Sequence, residues 1–223
     1  MSIHLHREID NLKKKILLMG AEAEESLGKA VHALTTRDSE LARQVIASDE
    51  DMDHLEVEIE EECLKILALY QPVAIDLRYV IAVLKINNDL ERIGDLAVNI
   101  AERAMYLSSL APIDLPLDFS GMSDKTQLMV KRSLDALVNM DTTLARQVRA
   151  SDDEIDEINR HMYRVFEDYI RQHPERVSEA LHLVSVSRHM ERIADQATNV
   201  AEDVIYMVEG EIVRHQPEDF SSK

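Results

Sequence analysis

Glu91, Asp95, Asn99 and Glu102 recur as Glu191, Asp195, Asn199 and Glu202 inside a repeated stretch, DLERIGDLAVNIAERAMYL from Asp89 and HMERIADQATNVAEDVIYM from His189. At about 3.6 residues per turn these acids and amides share one helix face. They prolong an apolar line, since Leu77, Ile81 and Leu84 lead into the first set and Val177, Leu181 and Val184 into the second. Like charges at i, i+4 cost an isolated helix roughly 0.2 to 0.5 kcal/mol per pair, and more where water is partly excluded. Something positive should therefore sit against them, an arginine or a metal ion. A second carboxylate line, Asp49, Asp53, Glu56 and Glu60, flanks the apolar stripe of an earlier helix. Asp152 and Asp156 repeat its first members, because LARQVRASDDEID from Leu144 answers LARQVIASDEDMD from Leu41.

The elements that must hold these residues are helices. Ile86, Leu90, Ile93, Ala97, Ile100, Ala104 and Leu107 form a core stripe by steps of three and four, as do Val186, Met190, Ile193, Ala197, Val200, Val204 and Met207. A first helix runs from about His4 to Thr35. Asp38 caps a second, which continues to about Tyr70. Gln71-Pro72 ends it, and Pro72 suits the first turn of a third helix reaching about Ser108. LAPIDLPLDFSGMS, between Ser109 and Ser123, carries Pro112, Pro116 and Gly121 without helical periodicity and reads as a linker. A fourth helix spans Asp124 to about Met140, Asp141 caps a fifth, and Pro174 opens a sixth that runs to about Arg214, leaving QPEDFSSK as a frayed tail. The expected fold is all-α, with six long helices in two tandem three-helix bundles related by internal duplication. The bundles are residues 1–108 and 124–223, joined by the linker 109–123.

Composition narrows the function. The 223 residues include only five Gly, five Pro and no Trp, which leaves little material for sheets. The formal charge is -18, from 43 acidic against 25 basic residues. That balance argues against nucleic acid, whose backbone needs clustered Lys and Arg, and against adsorption to anionic lipid. The single cysteine, Cys63, forms no internal disulfide. No signal-peptide pattern opens the chain, and no run approaches the roughly 18 apolar residues of a membrane span, so a cytoplasmic protein is expected. No Gly-rich phosphate loop, nucleophile-base constellation or Cys/His metal cluster is present in the sequence. Arg92 and Arg192 are expected to neutralise nearby acids. Phosphate itself is not expected as a direct ligand, because the distinctive faces are anionic.

QPVAIDLR from Gln71 to Arg78, the LERIGD of the first repeat, the MERIAD of the second and the closing VEGEIVRH resemble the bacterial phosphate-uptake regulators of the PhoU family. The resemblance covers essentially the whole chain, duplication included. It implies two three-helix bundles in tandem, assembled as a homodimer, and a cytoplasmic negative regulator of phosphate-starvation signalling. The implied partners are the ATPase subunit of a high-affinity phosphate ABC transporter and a sensor histidine kinase, with membrane contact only through them. It also implies metal ions (iron, zinc or another divalent cation) on paired E(D)xxxD motifs. These fall on Asp49 with Asp53, Glu91 with Asp95, Asp152 with Asp156 and Glu191 with Asp195, with Asn99, Glu102, Asn199 and Glu202 as additional ligands or supporting groups. The second half departs from the pattern: it lacks the DLR of Asp76 to Arg78 and carries ERVSEALHL there instead.

Carboxylates on adjacent turns of neighbouring helices can converge on a metal, the arrangement helix bundles use for di-iron sites. One such pair in an acidic helical protein is ordinarily a solvated face. Two pairs per half, duplicated and continuous with an apolar line, favour ligands. All-oxygen donors suit hard ions and do not select iron over manganese, magnesium or calcium. The resulting expectation is a non-enzymatic, metal-binding adaptor. One rival is a helical-bundle oxidase or iron-storage protein, suggested by the Glu-x-x-His spacing of Glu179 and His182, although Tyr79 and Ala82 occupy the matching positions of the first half. Another is a coiled-coil-like scaffold without metal.

Overall fold

The computed structural model describes residues 3–113 and 119–213. Its helices are α1 (Ile3–Thr36), α2 (Ser39–Ala47), α3 (Asp49–Tyr70), α4 (Ile75–Ser108), α5 (Phe119–Asn139), α6 (Thr142–Gln172) and α7 (Val177–Glu209), with a 3-10 turn at Pro174–Arg176 ahead of α7. The fold is all-α and duplicated: α1, α2–α3 and α4 pack as one three-helix bundle, and α5, α6 and α7 as the other. α4 lies along α7, α1 touches α5, and the buried apolar residues of both halves form one connected core.

The core stripes lie where periodicity places them. Leu12, Ile16, Met19, Ala23 and Leu27 of α1, Val45 of α2, Ile59, Cys63 and Ile66 of α3 and both repeated stripes of α4 and α7 are buried. The turn before each middle helix is built the same way in the two halves. Arg37 and Met140 take positive φ (59° and 52°), and the N–H groups of Asp38 and Asp141 reach back to the Ala33 and Ala136 carbonyls at 3.0 Å each. This is the backbone pattern of a Schellman stop. Asp38 then accepts from the Glu40 and Leu41 amides and Asp141 from the Leu144 amide, all at 3.0 Å, so each is an N-cap as expected.

Five boundaries differ from expectation, each for a local reason. The second long helix breaks at Ser48, whose hydroxyl donates to the Val45 carbonyl at 2.9 Å and whose N–H is shared between the Gln44 and Val45 carbonyls. Its counterpart Ser151 donates to Gln147 one full turn back, and α6 runs unbroken. Pro72 lies in the turn rather than in a helix: α4 starts at Ile75, after Gln71 and Ala74 at φ 45° and 49°. Pro174 likewise sits in the 3-10 turn, and α7 starts at Val177. α5 begins at Phe119, ahead of Asp124, because Phe119 packs edge-on to Phe166 at 6.0 Å and Met122 and Ser123 are buried. α7 ends at Glu209, because Gly210 adopts φ 78° and returns its N–H to the Tyr206 carbonyl. Arg214 and the tail QPEDFSSK lie outside the described residues, as do 114–118 of the expected linker. Leu77, Val177 and Leu181, expected to begin a buried line, are exposed on the first turns of α4 and α7.

Gly94 marks a difference between the halves that the core depends on. A Cβ there would lie 2.1 Å from the Met52 sulfur. At the corresponding places the second half has Ala194 and Ile155, both buried, so the larger helix residue goes with the shorter partner. Gly94→Ala is expected to lower stability by about 1 to 3 kcal/mol through overpacking. Adding Met52→Ile should recover most of the loss in a denaturant-unfolding series, and no recovery would contradict this packing account.

Candidate functional site

Within each half the middle and last helices bring their acids face to face. In the first, Asp49 opens α3 and its carboxyl is raised above the ordinary range by burial, then by Asp53 and by Asp95 across on α4. Glu56 is raised by burial, Glu60 and Asp53. Glu91 on α4 is raised by burial, Asp95, Glu56 and Asp53, against the opposing pull of Arg92. Asp53, Asp49, Glu91 and Asp95 therefore belong to one field, joined by Glu56, which the pairing of motifs had left out.

The second half repeats the arrangement more tightly. Asp152 of α6 is raised by burial and Asp156, while Thr198 Oγ1 donates to its Oδ1 at 3.3 Å and works the other way. Glu191 is raised by burial, Asp156 and Asp152, with Arg188 and Arg192 opposing. Asp195 is affected most. Loss of water, followed by Glu191, Asp152 and Asp156, pushes its carboxyl up to about 7, although the residue stays exposed on its open side.

The residues expected to support these faces mostly turn elsewhere. Asn99 donates to the Asp95 backbone carbonyl at 2.7 Å, along its own helix. Glu102 is exposed. Asn199 donates to Asp89 of α4 at 3.4 Å. Glu202 pairs with Arg149 at 3.2 Å, both side chains about nine-tenths buried, yet its charge still reaches Asp152. A polar cleft of about 640 Å³ runs beside the second face, between Asp152 and Asp195 on one side and Lys85 and Asp89 on the other.

Among the described residues no three His, Cys, Asp or Glu side chains form a ready metal-ligand group. The donor chemistry nevertheless fits a hard cation. Each face offers only oxygens, and the raised proton affinity of Asp49, Glu91, Asp152, Glu191 and Asp195 is what crowded, under-neutralised carboxylates show. Arg92 does partly neutralise its neighbour, at 2.9 Å from Asp95. Glu179 and His182, the Glu-x-x-His pair, are otherwise engaged: Glu179 lies 2.8 Å from the Arg176 guanidinium, and His182 stacks on Tyr106 at 3.9 Å between ring centres.

Sequence reasoning missed the contacts that cross between the halves. Lys85 of α4 lies 3.3 Å from the buried Asp203 of α7 and 5.2 Å from the centre of the Tyr206 ring. Burial, and then the positive charges of Arg103, Arg192, Arg188 and Arg92, lower the His189 imidazole to about 4. The only signal in the chain was a mismatch between the repeats, since Lys85 aligns with Ser185 and Asp203 with Arg103.

A duplicated six-helix protein with two crowded carboxylate faces is the class that this fold and site define. A family profile described as the PhoU domain matches residues 16–104 and again 119–204, one match in each half. The chain is 42% identical over 212 residues to a protein of Aquifex aeolicus named phosphate-specific transport system accessory protein PhoU homolog, covering 95% of this chain and 96% of that one. A Pseudomonas aeruginosa protein of the same name is 37% identical over 216 residues, covering 96% and 89%. The crystal structure of PhoU from Pseudomonas aeruginosa superposes with a TM-score of 0.89 at 36% identity, over 92% of this chain and 99% of that one. The phosphate transport system regulatory protein PhoU from Streptococcus pneumoniae superposes at 0.82 with 27% identity, over 94% and 99%. The chain belongs to the PhoU family. No helix among the described residues is long and apolar enough to cross a membrane.

A carboxyl whose pKa rises on folding holds its proton more tightly in the folded chain, so its ionisation removes stability as pH climbs from the ordinary carboxylate range to the folded value. For Asp195 that window runs from about pH 4 to about pH 7. Melting temperatures in chelator should therefore show Asp195→Asn gaining on the wild type as pH is raised from 5 to 8. A difference that stays constant with pH would refute the crowding at this residue.

Proposed function

We propose that the protein is an accessory protein of a phosphate-specific transport system, acting in the cytoplasm as a negative regulator of phosphate-starvation signalling. In this reading it is a homodimeric, non-enzymatic adaptor between the ATPase subunit of a phosphate ABC transporter and a sensor histidine kinase. Near full-length identity to proteins named as phosphate-transport accessory proteins carries the proposal. The two acidic faces supply the adaptor's adjustable part. Asp49, Asp53, Glu91 and Asp95 would hold one cation site, and Asp152, Asp156, Glu191 and Asp195 the other, with iron, zinc or another divalent ion as occupant. A bound cation supplies positive charge that the carboxylates lack. The chain's own contribution is to hold acids of two helices against each other, so that neutralising them tightens α3 on α4 and α6 on α7. Partner affinity is then tied to the state of these helix pairs.

Two measurements test this. Elemental mass spectrometry of protein purified without chelator should find stoichiometric metal in the wild type and lose it in the Glu91, Asp95, Glu191, Asp195 quadruple alanine variant. Affinity for the transporter ATPase or the kinase should change by about tenfold on chelation, a usual size for coupled sites. Unchanged affinity would sink the coupling, and absence of binding to either partner would sink the adaptor.

A further inference from the structure

The outward face of α3 differs from that of its copy, α6. Glu50, His54, Val57, Glu61, Leu64 and Ala68 follow one another by steps of three and four, and all six are exposed. Val57 and Leu64 are 50% and 54% exposed, so the middle of this line is apolar and in water. The register that sets Leu144 against Leu41 continues along both helices, since it also sets the buried Met162 and Phe166 against the buried Ile59 and Cys63. It gives Arg160, Arg164, Glu167 and Arg171 as the counterparts of Val57, Glu61, Leu64 and Ala68. In α6 these residues make a ladder of ion pairs: Arg160 and Arg164 lie 3.4 and 3.6 Å from Glu157, and Arg171 pairs with Glu167 and, at 3.2 Å, with Asp168. A face of that kind is at home in water. In α3 a valine, a leucine and an alanine stand in its place.

The line ends two residues short of Tyr70, which with Leu5, Pro72, Val73 and Ile75 lines a cavity of about 470 Å³ at the turn into α4. Leu69, Val73 and Ile75 are exposed around it. Gln71 and Ala74 hold this turn at positive φ, a conformation that residues other than glycine rarely adopt. The matching turn of the second half, Pro174–Arg176, is polar, with Arg176 2.8 Å from Glu179.

We infer that the outward face of α3, with the turn that follows it, docks a basic amphipathic helix of another protein. The charges select that occupant. Glu50 and Glu61 form no ion pair among the described residues, whereas the neighbouring Lys15 and Lys65 are held by Glu58 and by Glu8 and Glu62. Apolar side chains among unpaired carboxylates fit a helix whose apolar stripe is edged by Lys and Arg. A second copy of this chain fits poorly, because a two-fold contact lays the line against itself and sets Glu61 among like charges. The inference deepens the adaptor reading, and rests on it for the source of the docked helix.

Fluorescence anisotropy with a labelled Leu/Lys peptide of about five helical turns, its leucines at i, i+3, i+4 and i+7, probes the surface directly. A scrambled peptide of the same composition is the control. The full chain should bind the amphipathic peptide saturably and about tenfold or more tighter than the scrambled one, and Leu64→Glu should remove that advantage, the scale of one leucine leaving an interface. A purely electrostatic attachment would instead strengthen with the added charge. Glu61→Gln should give a smaller loss, and Glu167→Gln, at the matching place of α6, none. Leu64→Glu copies the second half on an exposed face, so its circular dichroism and thermal melt should match the wild type. In parallel, the affinity of Leu64→Glu for the transporter ATPase or for the kinase should fall. Equal binding of the two peptides, or undiminished affinity of a folded Leu64→Glu variant for the peptide or for both proteins, overturns the inference. A wild-type dimer that Leu64→Glu splits in sedimentation also overturns it, by assigning the face to a second copy. Wild type that binds the amphipathic peptide through Leu64 but neither protein supports the docking face and sinks the adaptor reading instead.

Discussion

The structure depends on two copies of one long helix, α4 and α7, being packed along each other at the centre of the molecule. Each must also close the core of its own bundle, so its apolar positions are used on more than one side: α4 packs on α1 and α3 as well as α7, and α7 on α5 and α6. Little of its surface is left to be simply polar. The acids of the repeat are consequently held at the margin of a core, beside the acids of α3 or α6, where water is depleted and proton affinity rises. An i, i+4 carboxylate pair on an open helix would be an ordinary solvated face. Packing turns the same spacing into a concentrated negative field.

The same packing makes the differences between the copies meaningful. Gly94 with Met52 and Ala194 with Ile155 are two solutions to one volume requirement. The charge changes along the seam are of another kind. Lys85 and Asp203 form a pair whose acid is buried, which ties the halves at one end. Their mapped counterparts, Ser185 and Arg103, form no such pair, and the buried Arg103 Nε lacks an acceptor among the described residues. The protein thus presents two acidic faces, and a salt link ties the seam where Lys85 meets Asp203.

Much of this was legible in the chain. A period of 3.6 residues is a local property, so the core stripes of α1, α4 and α7, the Asp38 and Asp141 caps and the six-helix duplicated plan follow from residues close together in sequence. The QPVAIDLR and ERIGD signatures identified the family for the same reason: they are contiguous. Helix starts were less legible. Phe119 begins α5 because of Phe166, 47 positions along the chain, and the break at Ser48 but not at Ser151 depends on which carbonyl each hydroxyl takes.

The sequence by itself determined which stretches are helical, though not where each begins and ends, which face of each helix is apolar, and that the acids come in duplicated i, i+4 pairs. Only the tertiary structure decided what those acids face, that Asn99 turns back on its own helix while Asn199 crosses to Asp89, and that Lys85 of α4 meets Asp203 of α7. The physical reason is that periodicity is written within a few turns of one helix. The electrostatic surroundings of a side chain are instead set by whichever helix lies opposite, as α3 does for Glu91 and α6 for Asp195.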